Sequence, residues 1–233
     1  MASMTPKDGP TARRLTREAD VMRPHPSIAV APTAVPMAQG CNSQGRPDGV
    51  GCRAMSILPD FTLRTPRLLL RAFTPQDAQR VFEIRSDFEV TRMLVFPAYP
   101  PVLEQVTDWL REHVVEWRAG TAYRFAVVAD GRVIGCADVD EIQDGCGELG
   151  YWLEREYWGR GLASEAASAV HEFATRTLGL RRLVAGHAAD NPASGRILVR
   201  LGFRWVADSA RWYRARGADV VRREYEFDAD RQS

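Results

Sequence analysis

The sequence predicts a mixed α/β fold with a mostly antiparallel central sheet flanked by helices. Short apolar runs of strand length alternate along the chain with longer stretches of helical periodicity. Three of the strand-like runs follow one another and are separated by Asp-Gly turns, which favours an antiparallel meander. A glycine-rich turn then leads from the last of these runs into a helix. The predicted order of elements is β-α-α-β-β-β-α-β-α-β-β.

The chain divides near residue 55. The first 55 residues contain half of the 14 prolines, set among small and polar residues, so this segment has too little apolar surface to offset the entropy cost of ordering. We predict a disordered Pro/Ala-rich tail over residues 1–55 and one domain over residues 56–233. Because Met55 directly precedes the first patterned segment, an alternative interpretation is that the tail is an artefact of the assigned translation start.

The overall composition argues against several classes of protein. The 31 basic and 30 acidic side chains give a net charge of +1, which is not the signature of a nucleic-acid-binding protein. The four cysteines lack the spacing of a zinc site and the density of a secreted disulfide framework, and no apolar run reaches the roughly 18 residues of a membrane span. We therefore expect a cytoplasmic monomer or homodimer with no metal, membrane or nucleic-acid partner.

The beginning of the domain is predicted to form one strand and two helices. Residues 67–73 are an apolar run of strand length. Thr74 then provides an N-cap and Pro75 occupies the first helical position, which together indicate a helix start. A second helix is predicted over residues 102–117, where apolar side chains recur every three or four positions.

The meander occupies the middle of the domain. Its three predicted strands lie at residues 123–129, 132–140 and 148–153. Asp130-Gly131 connects the first two strands, and this dipeptide favours a two-residue hairpin. Asp144-Gly145 marks the turn before the third strand.

The last third of the domain returns to helical periodicity. A helix is predicted from Gly161 to about Leu178, with Gly179 placed to end it in the left-handed conformation. The elements after it are a strand, a short helix and two strands, at residues 180–188, 192–201, 203–206 and 220–227. The segment connecting the last two strands is a further candidate for strand structure.

The turn at Gly159-Arg160-Gly161 is a candidate anion site. A helix N-terminus leaves N–H groups unpaired and has a partial positive charge, and glycine lets the backbone approach a phosphate closely. The same pattern also fits a plain tight turn. It matches neither the GxGxxG fingerprint nor the GxxxxGK[ST] loop, so dinucleotide and nucleoside-triphosphate binding lose support.

Several motifs that occur in order along the chain make the turn more specific. They are Thr65-Pro-Arg-Leu-Leu-Leu-Arg71, Gly150-Tyr-Trp-Leu153, the glycine turn, Asn191-Pro-Ala-Ser194 and Leu201-Gly-Phe203. Together they resemble the GNAT superfamily of N-acetyltransferases, especially its RimJ/RimL-like branch of ribosomal-protein alanine N-acetyltransferases. The resemblance extends from about residue 65 to residue 228.

This resemblance implies a sheet that is splayed between the fourth and fifth strands and holds acetyl-CoA as co-substrate, without a metal. The pyrophosphate is expected on backbone amides of the glycine turn, and the pantetheine arm beside the fourth strand. The implied cofactor-binding residues are Trp152, Leu153, Trp158, Gly159, Arg160, Gly161, Leu162, Ala163, Ser164 and Asn191. Leu198 stands where the superfamily often has a tyrosine proposed as general acid, as is usual for this branch.

Three catalytic candidates follow from the chemistry and the resemblance. Attack of an amine on a thioester needs a neutral amine, so a general base helps, and Glu148 is the candidate. The alternative for Glu148 is a salt-bridged strand carboxylate, and Asp138 and Asp140 are weaker candidates for the base. Ser194 matches a residue proposed to protonate the leaving thiolate, or else it only bonds within its helical turn. Asn191 matches an asparagine that contacts the pantetheine or the reacting centre.

Other conspicuous side chains have ordinary interpretations. Tryptophans and Tyr151 are expected in the core or the cleft wall, because no basic stripe accompanies them as in a nucleic-acid platform. Arg181-Arg182 and Arg222-Arg223 are expected to be exposed, with contact to the adenosine 3′-phosphate as the alternative.

The predicted function is acetyl transfer from acetyl-CoA to a primary amine, with a protein N-terminal α-amine as the favoured acceptor. A small-molecule amine such as an aminoglycoside, a polyamine or an amino-acid derivative is one alternative, because acceptor clefts are built from variable loops. A non-catalytic acyl-CoA-binding module is another.

Overall fold

A computed structural model describes residues 60–231, and the predicted tail at 1–55 lies outside them. Within this part of the chain the mixed α/β fold is confirmed. The strands are β1 Thr62–Arg64, β2 Leu69–Ala72, β3 Tyr123–Ala129, β4 Arg132–Gln143, β5 Cys146–Leu153, β6 Arg182–Ala188, β7 Arg204–Tyr213 and β8 Ala218–Asp228. The α-helices are α1 Ala78–Arg85, α2 Phe88–Thr91, α3 Leu103–Ala119, α4 Leu162–Glu172 and α5 Pro192–Arg200.

The strands form one sheet in the order β1-β2-β3-β4-β5-β6-β8-β7. Neighbouring strands are antiparallel except for β5 and β6, which are parallel. These two strands pair only from Cys146 with Arg182 to Glu148 with Val184, after which both continue without pairing. The sheet therefore opens between β5 and β6, which are the fourth and fifth strands of the predicted set, because β1 precedes that set.

Local turn chemistry explains why the meander forms where the sequence predicts it. Asp130 and Gly131 have φ angles of 50° and 76°, and Asp144 and Gly145 have φ angles of 51° and 75°. Two successive residues with positive φ give the hairpin turn whose twist matches that of the flanking strands. Both predicted turns are confirmed, and with them the pairing of β3, β4 and β5.

Apolar side chains cover both faces of the sheet. The larger core includes Phe125, Leu149, Phe173 and Leu183 and lies under α4. The smaller core packs α1 and the first half of α3 against the other face.

Three features differ from the sequence prediction. Strand β1 was not predicted, because a three-residue edge strand has no apolar run to signal it. Strand β7 extends past residue 206 to Tyr213, into the connecting segment predicted only as a further candidate for strand structure; most of its side chains are exposed, so the apolar pattern is lost. The helix predicted to Leu178 is α-helical only to Glu172 and then makes a π-helical turn over Phe173–Thr177. Gly179 ends it with a φ of 69°, as predicted.

Candidate active site

A cleft of about 720 Å³ occupies the opening between β5 and β6. Its walls are β5, the first turns of α4 and α5, the segment between α2 and α3, and the β7–β8 hairpin. All the predicted site residues except Arg160 line it, namely Glu148, Trp152, Leu153, Trp158, Gly159, Gly161, Leu162, Ala163, Ser164, Asn191 and Ser194. The predicted residues are thus brought together at one place in the fold.

The edge of β5 that faces the opening offers free backbone. Pairing with β6 stops at Glu148, whereas β5 extends to Leu153, so the residues between them have no strand partner on that side. An extended chain can bind to such an edge as an added strand. The Trp158 indole donates a hydrogen bond to the Leu153 carbonyl at 2.8 Å, which fixes the chain at the point where β5 leads into the glycine turn.

The glycine turn has the backbone geometry of an anion site. Gly159 and Gly161 have φ angles of 74° and 78°, in the left-handed region that favours glycine. The Arg67 guanidinium donates to the Arg160 carbonyl at 2.9 Å. In a trans peptide the C=O and N–H point in opposite directions, so this bond directs the Gly161 N–H away from Arg67. The Arg160 side chain lies over the Tyr157 ring instead of lining the cleft.

The first turn of α4 is anchored by the segment that precedes β2. The Glu165 carboxylate accepts hydrogen bonds from the Thr65 hydroxyl at 2.6 Å and from Arg67 Nε at 2.7 Å. Although partial burial raises the pKa of Glu165, the hydrogen bonds from Thr65 and Arg67 hold it below its usual value. Arg67 thereby compensates a negative charge that would oppose an anion at this helix N-terminus. Leu162, the first residue of α4, is buried in the core.

Paired residues of β4 and β5 form the floor of the cleft, and all of them line it except the fully buried Cys136. Glu148, Gly150 and Trp152 alternate along one face of β5 and pair with Asp140, Asp138 and Cys136 of β4. A Cβ atom at position 150 would lie 2.3 Å from Asp138 Oδ1, so only glycine leaves room for this carboxylate. We call this set of six residues the polar floor.

Glu148 lies on the polar floor at the last pair between β5 and β6. Its Oε1 atom is 2.5 Å from Nη2 of Arg222, which also pairs with Glu224. Burial raises the pKa of Glu148 to about 7, with further raising by Asp140 and opposition from Arg222. The carboxylate is therefore both salt-bridged, as the alternative interpretation expected, and close to the pKa that suits a general base at neutral pH.

The two weaker base candidates are held by Arg124. This guanidinium pairs with Asp138 at 3.3 Å, with Asp140 at closer range, and with Glu116 at 3.0 Å. Burial and the charge of Asp140 raise the pKa of Asp138 to about 6, while Arg124 lowers it. Because Arg124 pairs with three carboxylates at once, Asp138 and Asp140 are held in an ion-pair network. We therefore consider them less suited than Glu148 to accept a proton.

Asn191 and Ser194 stand at the N-terminus of α5, across the opening from β5. The Asn191 side chain accepts a hydrogen bond from the Ser194 N–H at 3.4 Å and caps the helix. The Ser194 hydroxyl donates to the Tyr151 hydroxyl at 2.8 Å, and Tyr151 donates to the Ser194 carbonyl at 3.0 Å. Leu198, at the position where a tyrosine is common, is buried in the core.

Comparison with known proteins agrees with this geometry. A family model described as an acetyltransferase (GNAT) domain matches residues 67–204. The chain belongs to the GNAT family. It is an acetyl-CoA-dependent N-acetyltransferase.

Relatives and solved structures place this GNAT protein near the RimJ/RimL enzymes. The uncharacterized N-acetyltransferase YoaA of Bacillus subtilis is 31% identical over 61% of this chain and 82% of its own. The ribosomal protein uS5-alanine N-acetyltransferase of Escherichia coli is 27% identical over 64% of this chain and 80% of its own. RimJ of Mycobacterium smegmatis, solved with a CoA disulfide, superposes with a TM-score of 0.64 at 22% identity, over 74% of this chain and 89% of that one.

The sequence analysis missed the partners of two residues of the GNAT site. Arg222 was expected to be exposed or to contact a phosphate, and this is wrong, because it is buried against Glu148 and Glu224. A Cβ atom on Gly186 would lie 2.3 Å from the Arg222 guanidinium carbon, so this glycine provides its space. Tyr151 was expected in the cleft wall, but its hydrogen bonds to Ser194 were not foreseen. Neither partner is near in sequence, so no local signal could have revealed these pairs.

Asp190 links several segments on one side of the GNAT cleft. Its carboxylate pairs with Arg92, next to α2, at 2.7 Å and with Arg216, after β7, at 2.9 Å. The Arg214 N–H also donates to the Val95 carbonyl at 3.0 Å. Asp190 directly precedes Asn191 and thus joins two segments of the cleft wall to the start of α5.

Within residues 60–231, no helix is long and apolar enough to cross a bilayer. The same part of the chain contains no group of three or more His, Cys, Asp or Glu side chains arranged to hold a metal ion.

Proposed function

We propose that this N-acetyltransferase acetylates the α-amino group of a protein N-terminus. The observation that supports the reaction chemistry is the placement of Glu148, with a pKa near 7, on the polar floor where β5 and β6 part. The relative that acetylates an alanine of ribosomal protein uS5 supports the acceptor class. The wall between α2 and α3 adds an exposed apolar surface, with Phe96 70% and Val102 47% exposed, that suits a peptide better than a polyamine.

Acetyl-CoA would be bound by backbone more than by side chains. Its diphosphate fits the N–H groups of the glycine turn, from Gly159 to Ser164, and its pantetheine amides fit the free edge of β5. When bound, it supplies the activated acetyl group. Asn191 and Ser194 stand on the opposite side of the same opening.

Side chains of the protein would accept and donate the protons of the reaction. Glu148 accepts a proton from the incoming ammonium group, directly or through water, so that the nitrogen lone pair is free to form the new C–N bond. When the C–S bond breaks, the sulfur takes a proton, and the Ser194 hydroxyl is the nominated donor. The nitrogen loses a second proton as the amide forms, and this proton, passed through water, restores the Ser194 hydroxyl. Tyr151 orients that hydroxyl by accepting its hydrogen bond.

Product analysis tests this proposal. The protein is incubated with radiolabelled acetyl-CoA and a panel of N-terminal peptides, the same peptides with a blocked N-terminus, polyamines and aminoglycosides. Free thiol and labelled acceptor are both measured. We expect label on the free N-terminal peptides alone. Label confined to polyamines or aminoglycosides would assign the small-molecule alternative, and binding of acetyl-CoA without any labelled acceptor would support the non-catalytic alternative.

A further inference from the structure

Arg85 is a buried cation on the wall of the cleft. It is the last residue of α1 and is only 7% exposed, yet it lines the cleft. Its guanidinium carbon lies 3.9 Å from the centre of the Trp109 ring and 5.5 Å from that of Trp152. Two aromatic faces therefore flank the guanidinium at the Trp152 end of the polar floor.

Arg85 differs from Arg124 and Arg222, two other arginines that line the cleft. Arg124 has three carboxylate partners and Arg222 has two. Arg85 makes no ion pair with any residue between 60 and 231, and its buried Nε atom has no hydrogen-bond partner there. Burial lowers the pKa of Arg85 to about 10, so the side chain stays charged at neutral pH.

A charge in this position is costly without an anion. Aromatic faces compensate part of the desolvation of a guanidinium, but they leave its N–H donors unused. Asp138 is near enough to favour the charge of Arg85 but is paired with Arg124. The planar fork of an arginine is suited to binding a carboxylate with two parallel hydrogen bonds.

We propose that Arg85 binds a carboxylate carried by the acceptor, between the rings of Trp109 and Trp152. This inference rests on the proposed function and narrows its substrate class to acceptors that have an amine at one end and a carboxylate further along. The amine lies at Glu148 and the carboxylate at Arg85, at opposite ends of the polar floor.

The spacing favours a peptide side chain as the source of the carboxylate. Glu148 and Trp152 are four residues apart on β5, or roughly 13 Å between their Cα atoms. An extended peptide covers about 3.3–3.6 Å per residue, so an acidic side chain at the second or third position spans this distance. The α-carboxylate of a free α-amino acid is too close to its own amine to do so.

Binding measurements with matched peptides test the inference without turnover. The protein is loaded with CoA, which has no acetyl group to transfer, and titrated by calorimetry with peptides that carry Asp or Asn, or Glu or Gln, at the second or third position. We expect the acidic member of at least one pair to bind at least about tenfold more tightly. Equal affinities in every pair, or no binding of any peptide, would overturn the inference.

Variants test whether the carboxylate preference depends on Arg85 itself or on the overall charge of the protein. Arg85→Met should abolish the preference for the acidic peptide, and Arg85→Lys should retain only part of it. Arg118→Met, at an exposed arginine of α3, should leave it intact. A preference that persists in Arg85→Met contradicts the assignment. The comparison of peptides on the unchanged protein remains decisive should a variant fail to fold.

A second set of measurements distinguishes failure of the Arg85 inference from failure of the proposed function. Glutamate and its α-amide are titrated in the same way, and neutral peptides are tested as acetyl acceptors. Acetylation of neutral peptides with no carboxylate preference anywhere would refute the Arg85 site and leave the proposed function standing. A carboxylate preference seen only with free glutamate would overturn the inference, because an α-carboxylate does not span the distance from Glu148 to Arg85, and it would refute the peptide acceptor as well.

Discussion

Tyr151 and Ser194 hydrogen-bond to each other twice across the opening of the sheet. The Ser194 hydroxyl donates to the tyrosine oxygen at 2.8 Å, and the tyrosine donates to the Ser194 carbonyl at 3.0 Å. Burial raises the pKa of Tyr151 above its ordinary value, so the phenol keeps its proton at neutral pH. The pair thus joins β5 to α5 and holds the serine hydroxyl in one orientation.

Removing the tyrosine hydroxyl should therefore affect turnover more than binding. In Tyr151→Phe we expect kcat to fall about tenfold or more, with little change in KM for acetyl-CoA, because the proposed proton donor loses its orientation. Steady-state kinetics measure both constants. Tyr99→Phe, which removes an exposed hydroxyl bonded only weakly to the Ser86 carbonyl, is the matched control. Unchanged kcat in Tyr151→Phe would assign Ser194 and Tyr151 a purely structural role.

The raised pKa of Glu148 predicts the pH dependence of the reaction. A general base works when deprotonated, so kcat/KM should rise with pH through about 7 and level off above it. Glu148→Gln should lower kcat/KM by roughly 10²–10⁴-fold and remove this limb from the profile. Glu224→Gln controls for disturbance of Arg222, since it removes the other partner of that arginine. If Glu224→Gln also removes the rise of kcat/KM near pH 7, that rise does not report the titration of Glu148.

Gly150 and Asp138 should be energetically coupled. A methyl group at position 150 would lie 2.3 Å from Asp138 Oδ1, so Gly150→Ala should cost about 1–3 kcal/mol of unfolding free energy. Asp138→Ala removes the obstacle, and the double variant should lose less stability than the two single changes add up to. Urea unfolding of the four proteins measures the coupling. Strict additivity would show that the carboxylate does not need the space at position 150.

His113 should make the domain sensitive to acid. Burial, with smaller contributions from Arg124 and Arg85, lowers the pKa of His113 to about 3, whereas an unfolded histidine titrates near 6.5. The unfolded chain therefore binds a proton that the folded chain does not, and the stability due to His113 is fully present above pH 6.5 and decreases as the pH falls toward 3.

The test of this linkage is a comparison of unfolding free energies between pH 7 and pH 4. His113→Phe should lose less stability over this range than the unchanged protein, because phenylalanine takes up no proton and suits the neighbouring rings of Phe73 and Trp109. His171→Phe provides a comparison at a half-buried histidine. Parallel pH curves for His113→Phe and the unchanged protein would rule out the linkage.

Sequence and structure agree best where the information is local. The turns at Asp130-Gly131 and Asp144-Gly145, the cap at Gly179 and the start of α5 at Asn191 each depend on a few adjacent residues, and each was predicted. The opening between β5 and β6 was predicted through the resemblance of motifs rather than from any strand pattern. Exposed β7 and the three-residue β1 lack the apolar alternation that such a prediction needs.

The parts of the site that were not predicted depend on distant partners. Arg222 meets Glu148 across 74 positions of sequence, and Tyr151 meets Ser194 across 43. Neither arginine nor tyrosine has a local pattern that distinguishes a buried, paired side chain from an exposed one. Arg85 likewise has the appearance of an ordinary residue of an amphipathic helix, and only the packing of α1 beside α3 places it between two tryptophans.

The contacts of Asp190 limit how independently the acceptor and donor specificities of this enzyme can change in evolution. It is bonded to Arg92 and Arg216, which belong to the segments proposed to form the acceptor wall, and is joined by one peptide bond to Asn191, a residue proposed to contact the acetyl donor. A substitution that shifts either wall segment therefore also shifts the start of α5. Lineages that adopt a new acceptor by remodelling this wall should show altered affinity for the acetyl donor as well, so the two specificities evolve as linked traits.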